Sequence, residues 1–118
     1  MQMEKSLACA AVAIAAMGVA LAQAPVVDAK KAKSLIEGHE CAGCHQMEVK
    51  VVGPGLKQVA EKYRGNKDAP AKLIEKIKKG GVGVWGEIPM PPNLDVTEDE
   101  LKIVVAWILS QQRAAMEH

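Results

Sequence analysis

The sequence predicts an all-α domain of about four helices, on three observations. Apolar residues recur at helical spacing in four separate stretches: Ala29 to Ile36, Leu56 to Tyr63, Leu73 to Ile77 and Leu101 to Ile108. No run of alternating β-branched residues follows Pro25, which leaves no strand to predict. The third observation is the pentapeptide Cys41-Ala42-Gly43-Cys44-His45. If it makes one helical turn, positions i, i+3 and i+4 share a face, and both thiols and the imidazole point at a single flat ligand. That is the pattern of covalent haem attachment. Cys41 and Cys44 would bond the haem vinyl groups, and His45 would be the proximal iron ligand. Ala42 and Gly43 are small enough to let the backbone lie against the porphyrin. The helices are therefore expected to wrap around one covalently bound haem c per chain.

Composition is consistent with this. At 118 residues the chain is one small domain. It has no Phe, one Tyr and two Trp, a shortage that a large apolar macrocycle would make up in the core. Fifteen basic against fourteen acidic residues leave a net charge of +1, so no nucleic-acid partner is expected.

Residues 1–24 read as a cleavable signal peptide and 25–118 as the mature domain. Lys5 supplies a weak positive start, partly offset by Glu4. Leu7 to Leu21 is uncharged, apolar and small, and Ala22-Gln23-Ala24 matches the A-x-A cleavage pattern. The run is short and Ala-rich for a retained anchor, which needs about 20 strongly apolar residues. Cys9 precedes most of that run, the wrong end for lipid attachment, and is expected to leave with the leader. Export implies a periplasmic location with no stable membrane insertion after cleavage. Cys41 and Cys44 are then the remaining cysteines. A disulfide oxidoreductase would need a βαβ framework around such a pair. A closed zinc site needs four ligands, where only His39 and a carboxylate stand near.

The first helix is expected to start at an Asp28 N-cap and to present Ala29, Ala32, Leu35 and Ile36. Gly38 would let the backbone turn into the pentapeptide, and His39 would be an exposed surface histidine. After His45, Gly53-Pro54-Gly55 is a turn signal. Pro54 lacks a donor but its carbonyl can accept, so it is either a turn former alone or the partner of the free ring N–H of His45. Leu56, Val59, Ala60 and Tyr63 form the face of the second helix, ending near Gly65-Asn66. Asp68 would cap the third. Its face is Leu73, Ile74 and Ile77, with Pro70 in the first turn, Lys76, Lys78 and Lys79 in the last, and Gly80-Gly81 as the stop. Thr97 and Glu100 form a T-x-x-E capping box for the last helix. Its stripe is Leu101, Val104, Val105 and Ile108, with Trp107 at the edge. Gln111 to His118 is polar and expected to fray, leaving His118 exposed.

Between the third and fourth helices, Gly81 to Asn93 has no period. Pro89, Pro91 and Pro92 flank Met90 and restrict its backbone, which would present the sulfur at low entropic cost. A lone Met is most often core filler, but an attached haem asks for a sixth ligand opposite His45, and this loop has two intervening helices with which to reach it. Met47 stands too near His45 to cross to the other face, and Met116 lies in the polar tail.

Together these segments resemble the short bacterial class I cytochromes c of the c-551/c-552 type, which carry electrons to nitrite reductase or terminal oxidases. The resemblance covers residues 25–112. It rests on Cys41 to His45, on Val52-Gly53-Pro54-Gly55, and on Gly83-Val84-Trp85-Gly86-Glu87-Ile88-Pro89-Met90-Pro91-Pro92-Asn93. It implies the small class I cytochrome c fold, Cys41 and Cys44 as the thioether cysteines, and His45 and Met90 as the iron ligands. It also implies that the Pro54 carbonyl accepts from the proximal imidazole, that Asn93 hydrogen-bonds near the methionine sulfur, and that the Trp85 indole N–H reaches a haem propionate. Relatives often carry an arginine as second propionate partner where Lys76 stands, a point charge without the planar fork. Ile36 stands where relatives can carry a phenylalanine.

The expected function is electron carriage rather than catalysis. His/Met ligation occupies both axial positions, raises the potential and leaves no site for oxygen or peroxide. Nitrite reductase, a terminal oxidase or a quinol-cytochrome c reductase are the candidate partners, docking weakly over a small patch at an exposed haem edge, and a monomer is expected. Lys50 and Lys57 are either steering charges for that docking or ordinary solvated ones. The rival reading is a peroxidase-like haem enzyme or a gas sensor with a labile sixth ligand. It needs a polar distal group, and the Met90 region offers only Asn93.

Overall fold

The computed structural model describes residues 26–111 together with positions 11 and 13. Apart from those two positions, the expected leader and its cleavage point, Cys9, and the tail with Met116 and His118 lie outside the described residues. Four α-helices and one short 3-10 turn follow in order: α1 Ala29–Gly38, the turn Cys41–Gly43, α2 Leu56–Lys62, α3 Ala69–Lys79 and α4 Glu98–Ser110. Among the described residues there is no strand. Extended pairing is confined to two isolated antiparallel bridges, His45 with Lys50 and Gly81 with Met90. The all-α expectation holds.

The helix ends follow from local side-chain chemistry. Asp28 Oδ1 accepts from Lys31 N at 2.9 Å and starts α1. Thr97 Oγ1 accepts from Glu100 N at 3.2 Å while Glu100 Oε1 accepts from Thr97 N at 3.1 Å, a complete capping box for α4. Gln58 Oε1 takes the Gly55 N–H at 2.9 Å before α2. Asp68 departs from expectation, because its side chain makes no cap bond. The turn is built two residues earlier, where Asn66 Oδ1 accepts from Asp68 N at 2.9 Å.

α4 is the element against which α1, α2 and α3 all pack. The core joins Ala32, Leu35 and Ile36 of α1, Leu56 and Val59 of α2 and Leu73 of α3 to Val104, Val105, Trp107 and Ile108 of α4. Three neighbours widen the buried arc of α4 beyond a single stripe. Trp107, expected at the edge, is therefore only 6% exposed, with the Lys33 ammonium 6.0 Å from its ring centroid.

Two further expectations change around the pentapeptide. Gly38 simply ends α1, and the turn is made by Glu40 at φ 60°, a left-handed conformation costly for a non-glycine residue. His39 is half-buried rather than exposed. Its Nε2 lies 3.6 Å from Glu100 Oε2 and links the end of α1 to the start of α4.

Candidate haem site

The four helices leave one side of the core open as an apolar cleft, floored by Leu35, Ile36, Val59, Leu73 and Val104. Its non-atom space is about 1300 Å³, counting the solvent in its open mouth. Val52, Val82, Val84 and Ile88 line it while 39–60% exposed. Such apolar surface gains most from being covered.

The pentapeptide forms one turn at the cleft wall. Cys44 N donates to Cys41 O at 3.1 Å and His45 N to the same oxygen at 2.9 Å. Cys41, Cys44 and His45 all line the cleft, and neither thiol is in a disulfide. Burial pushes the Cys41 thiol above its ordinary value, so it stays a neutral thiol against the apolar wall.

The loop after the pentapeptide sets the imidazole. His45 Nδ1 is 2.7 Å from the Pro54 carbonyl oxygen. A carbonyl can only accept, so Nδ1 carries the proton of this bond, and Nε2 is the ring nitrogen it leaves for a metal. The ring rests on the bare backbone of Gly53, where a Cβ would come within 2.6 Å of Cε1. Leu56 N and Lys57 N donate to the Gln46 and Met47 carbonyls at 2.8 and 3.0 Å, which tie residues 46–49 to the start of α2. Gly55 permits that approach, since a Cβ on it would sit 2.8 Å from Glu48 C and Val49 N.

Met90 lies on the other loop of the cleft, and its prolines are not alone in holding it. Gly81 N donates to Met90 O at 3.0 Å and Met90 N to Gly81 O at 2.8 Å. Gly80, ending α3 at φ 70° and ψ −164°, adopts a region open essentially only to glycine. Its missing side chain makes the crossing possible, because a Cβ would fall 2.2 Å from Met90 O. Asn93 anchors the far end. Both its backbone N and its Nδ2 donate to Ile77 O at 3.1 Å, and Nδ2 also reaches Pro91 O at 3.3 Å. The amide is thus committed to the end of α3 and to the loop, and makes no hydrogen bond to the Met90 sulfur.

Trp85 is half-buried beside the core and lines the cleft, with the Lys62 ammonium 5.5 Å from its ring centroid. Lys76 also lines the cleft, lying over Gly81. Among the described residues it has no carboxylate partner, whereas Lys78 pairs with Glu98 at 2.6 Å and Lys79 with Glu75. Lys50 and Lys57 both have partners. Lys50 Nζ donates to the Trp85 carbonyl and Lys57 Nζ pairs with Glu48. Sequence reasoning missed Gly53, Gly80 and Gly81 as parts of the site, and the bond from Lys50 to the Trp85 carbonyl outside it. The glycines were legible only as turn signals, and a bond between residues 35 apart carries no local signal.

This donor set fits a haem: two unpaired thiols on one turn, an imidazole whose Nδ1 is taken by the Pro54 carbonyl, a thioether on the other loop of the cleft, and apolar walls between. Fold and cleft together define a small c-type haem protein. The family model described as cytochrome c matches residues 29–112, so the chain belongs to the cytochrome c family, whose members carry covalently bound haem c. The cytochrome c-551 of Stutzerimonas stutzeri is 48% identical over 95 residues, 80% of this chain and 89% of that protein. The crystal structure of wild-type Nitrosomonas europaea cytochrome c552 matches at a TM-score of 0.66 and 48% identity, covering 68% of this chain and 99% of that one. The class 1 cytochrome MtoD of Sideroxydans lithotrophicus ES-1 matches at 0.62 and 37% identity, covering 73% and 98%. The c-551/c-552 resemblance and the class I fold are thereby established, and small cytochromes c of this kind act in electron transfer. No helix among the described residues is long and apolar enough to cross a membrane.

Proposed function

We propose that this chain is a periplasmic carrier of single electrons and not an enzyme, with haem c joined to Cys41 and Cys44 and His45 and Met90 as its axial ligands. The observation that carries the reading is the support behind the two donors. The His45 Nδ1–H is taken by Pro54, which leaves Nε2 as the nitrogen for the iron, and the Met90 backbone is bonded through both its N and its O to Gly81. The haem iron supplies the one-electron couple. His45, with its ring proton held by a carbonyl, is a more basic donor and a fixed one. Met90 contributes a soft thioether, which favours the reduced state, and with both donors engaged no position stays open for oxygen or peroxide.

The remaining residues orient the group and keep water out. Val82, Val84 and Ile88 cover its apolar surface. Trp85 offers an indole N–H and Lys76 an ammonium without a carboxylate partner among the described residues, so these two are the groups for the propionates. Residues 1–24 are removed as a leader and the mature chain starts at Pro25. The carrier works as a monomer that docks weakly on redox proteins, with nitrite reductase, a terminal oxidase or a quinol-cytochrome c reductase as the candidates. The test is the spectrum and potential of the holoprotein and of Met90→Ala. The oxidised wild type should show a thioether-to-iron charge-transfer band, and the reduced form should not bind carbon monoxide rapidly. Met90→Ala should lose the band, lower the potential and bind carbon monoxide. A variant that kept both band and potential would remove Met90 from the iron.

A further inference from the structure

The loop that carries Met90 is anchored by hydrogen bonds at its two ends, while its tip is held by the packed Trp85 ring and few hydrogen bonds. Gly81 and Met90 bond to each other, and Asn93 bonds to Ile77 of α3. Between them, residues 82–89 turn back on themselves through Gly83 N to Gly86 O at 2.9 Å. Among the described residues, that tip makes one hydrogen bond to the rest of the protein, from Lys50 Nζ to the Trp85 carbonyl. Lys50 belongs to the His45 loop, and its backbone faces His45 in an antiparallel bridge. Gly86 lies beside this bond, with the Lys50 Nζ 2.9 Å from the place a Cβ would take.

We infer that Lys50 is a positioning residue that latches the Met90 loop onto the His45 loop and slows the departure of Met90 from the iron. The inference rests on Met90 being the ligand. An ammonium suits this role, because it reaches across on a flexible stem and gives a charge-assisted bond to a carbonyl that would otherwise face water. Trp85 transmits the restraint, since its ring is packed against the core beneath Lys62. Met90 follows it by five residues, in a segment that Pro89 stiffens.

The test is the rate at which external imidazole displaces the thioether in the oxidised holoprotein, measured at saturating imidazole, where loss of Met90 limits the rate. Lys50→Met keeps the apolar stem and removes the donor. Its rate should rise about two- to fivefold, the range for an exposed ionic contact, with the resting thioether band unchanged. Lys50→Arg should restore the slow rate. Lys57→Met, which removes an ammonium paired with Glu48 instead, should match the wild type. A Lys50→Met rate equal to the wild type, or an equal rise in Lys57→Met, overturns the latch while leaving Met90 as the ligand. Absence of the thioether band in the wild type overturns the ligand assignment and the latch with it.

Discussion

Replacing Gly53 by alanine tests whether the proximal imidazole is set by its neighbours. The new Cβ would stand 2.6 Å from His45 Cε1, 2.9 Å from Nδ1 and 3.1 Å from Nε2, where ordinary contact begins at 3.4 Å. The ring has to retreat by about 0.8 Å to restore that contact. Its covalently tethered neighbours allow little sideways escape, so the motion falls on the 2.7 Å bond to Pro54, which would stretch toward the limit of hydrogen bonding. Overpacking of this kind destabilises by about 1–3 kcal/mol. Losing the bond removes about 0.5–1.5 kcal/mol and makes His45 a weaker donor to oxidised iron. If the ferric state feels all of that loss, the potential rises by about 20–65 mV, at 59 mV per tenfold change for one electron. Denaturant unfolding and a redox titration of the holoprotein measure both effects. Gly38→Ala is the control, because a Cβ at that helical position meets nothing within 4 Å and should be neutral or stabilising by up to about 1 kcal/mol. A Gly53→Ala protein with unchanged stability and potential would refute the contact argument.

Gly80→Ala should be more damaging on the Met90 side. It forces a side chain into a backbone region worth about 1–3 kcal/mol of strain and drives a Cβ to 2.2 Å from Met90 O, so a lower unfolding midpoint together with a weakened thioether band is expected. The Glu100 carboxyl is held below its ordinary value of 4.5, first by the Thr97 backbone N–H, then by the Thr97 side chain and His39. A folded-state value below the unfolded one stabilises the fold above the ordinary carboxylate range, and this is lost as pH falls through the lowered value. Acid titration followed by circular dichroism should therefore show Glu100→Gln less stable than wild type at neutral pH, with a shallower loss below about pH 4.5. Parallel curves would argue against the assignment.

What could be read in the chain was local. Capping by Asp28 and Thr97, the period of Leu101, Val104, Val105 and Ile108, and the spacing of Cys41, Cys44 and His45 each act within about four residues. There, covalent geometry alone decides which groups meet. Those features sufficed for an all-α fold around one haem. Other decisions needed the chain to come back on itself. Trp107 is core because α4 has three helical neighbours. Gly53 is bare because an imidazole lies on it, Gly80 because the Met90 carbonyl crosses it, and the Lys50 ammonium finds its acceptor 35 residues away. The order of residues was enough to specify the haem-attachment chemistry and the helices around it. What stands behind His45 and Met90 came from the folded chain, because contacts between distant segments depend on packing and leave no periodic trace in the order of residues.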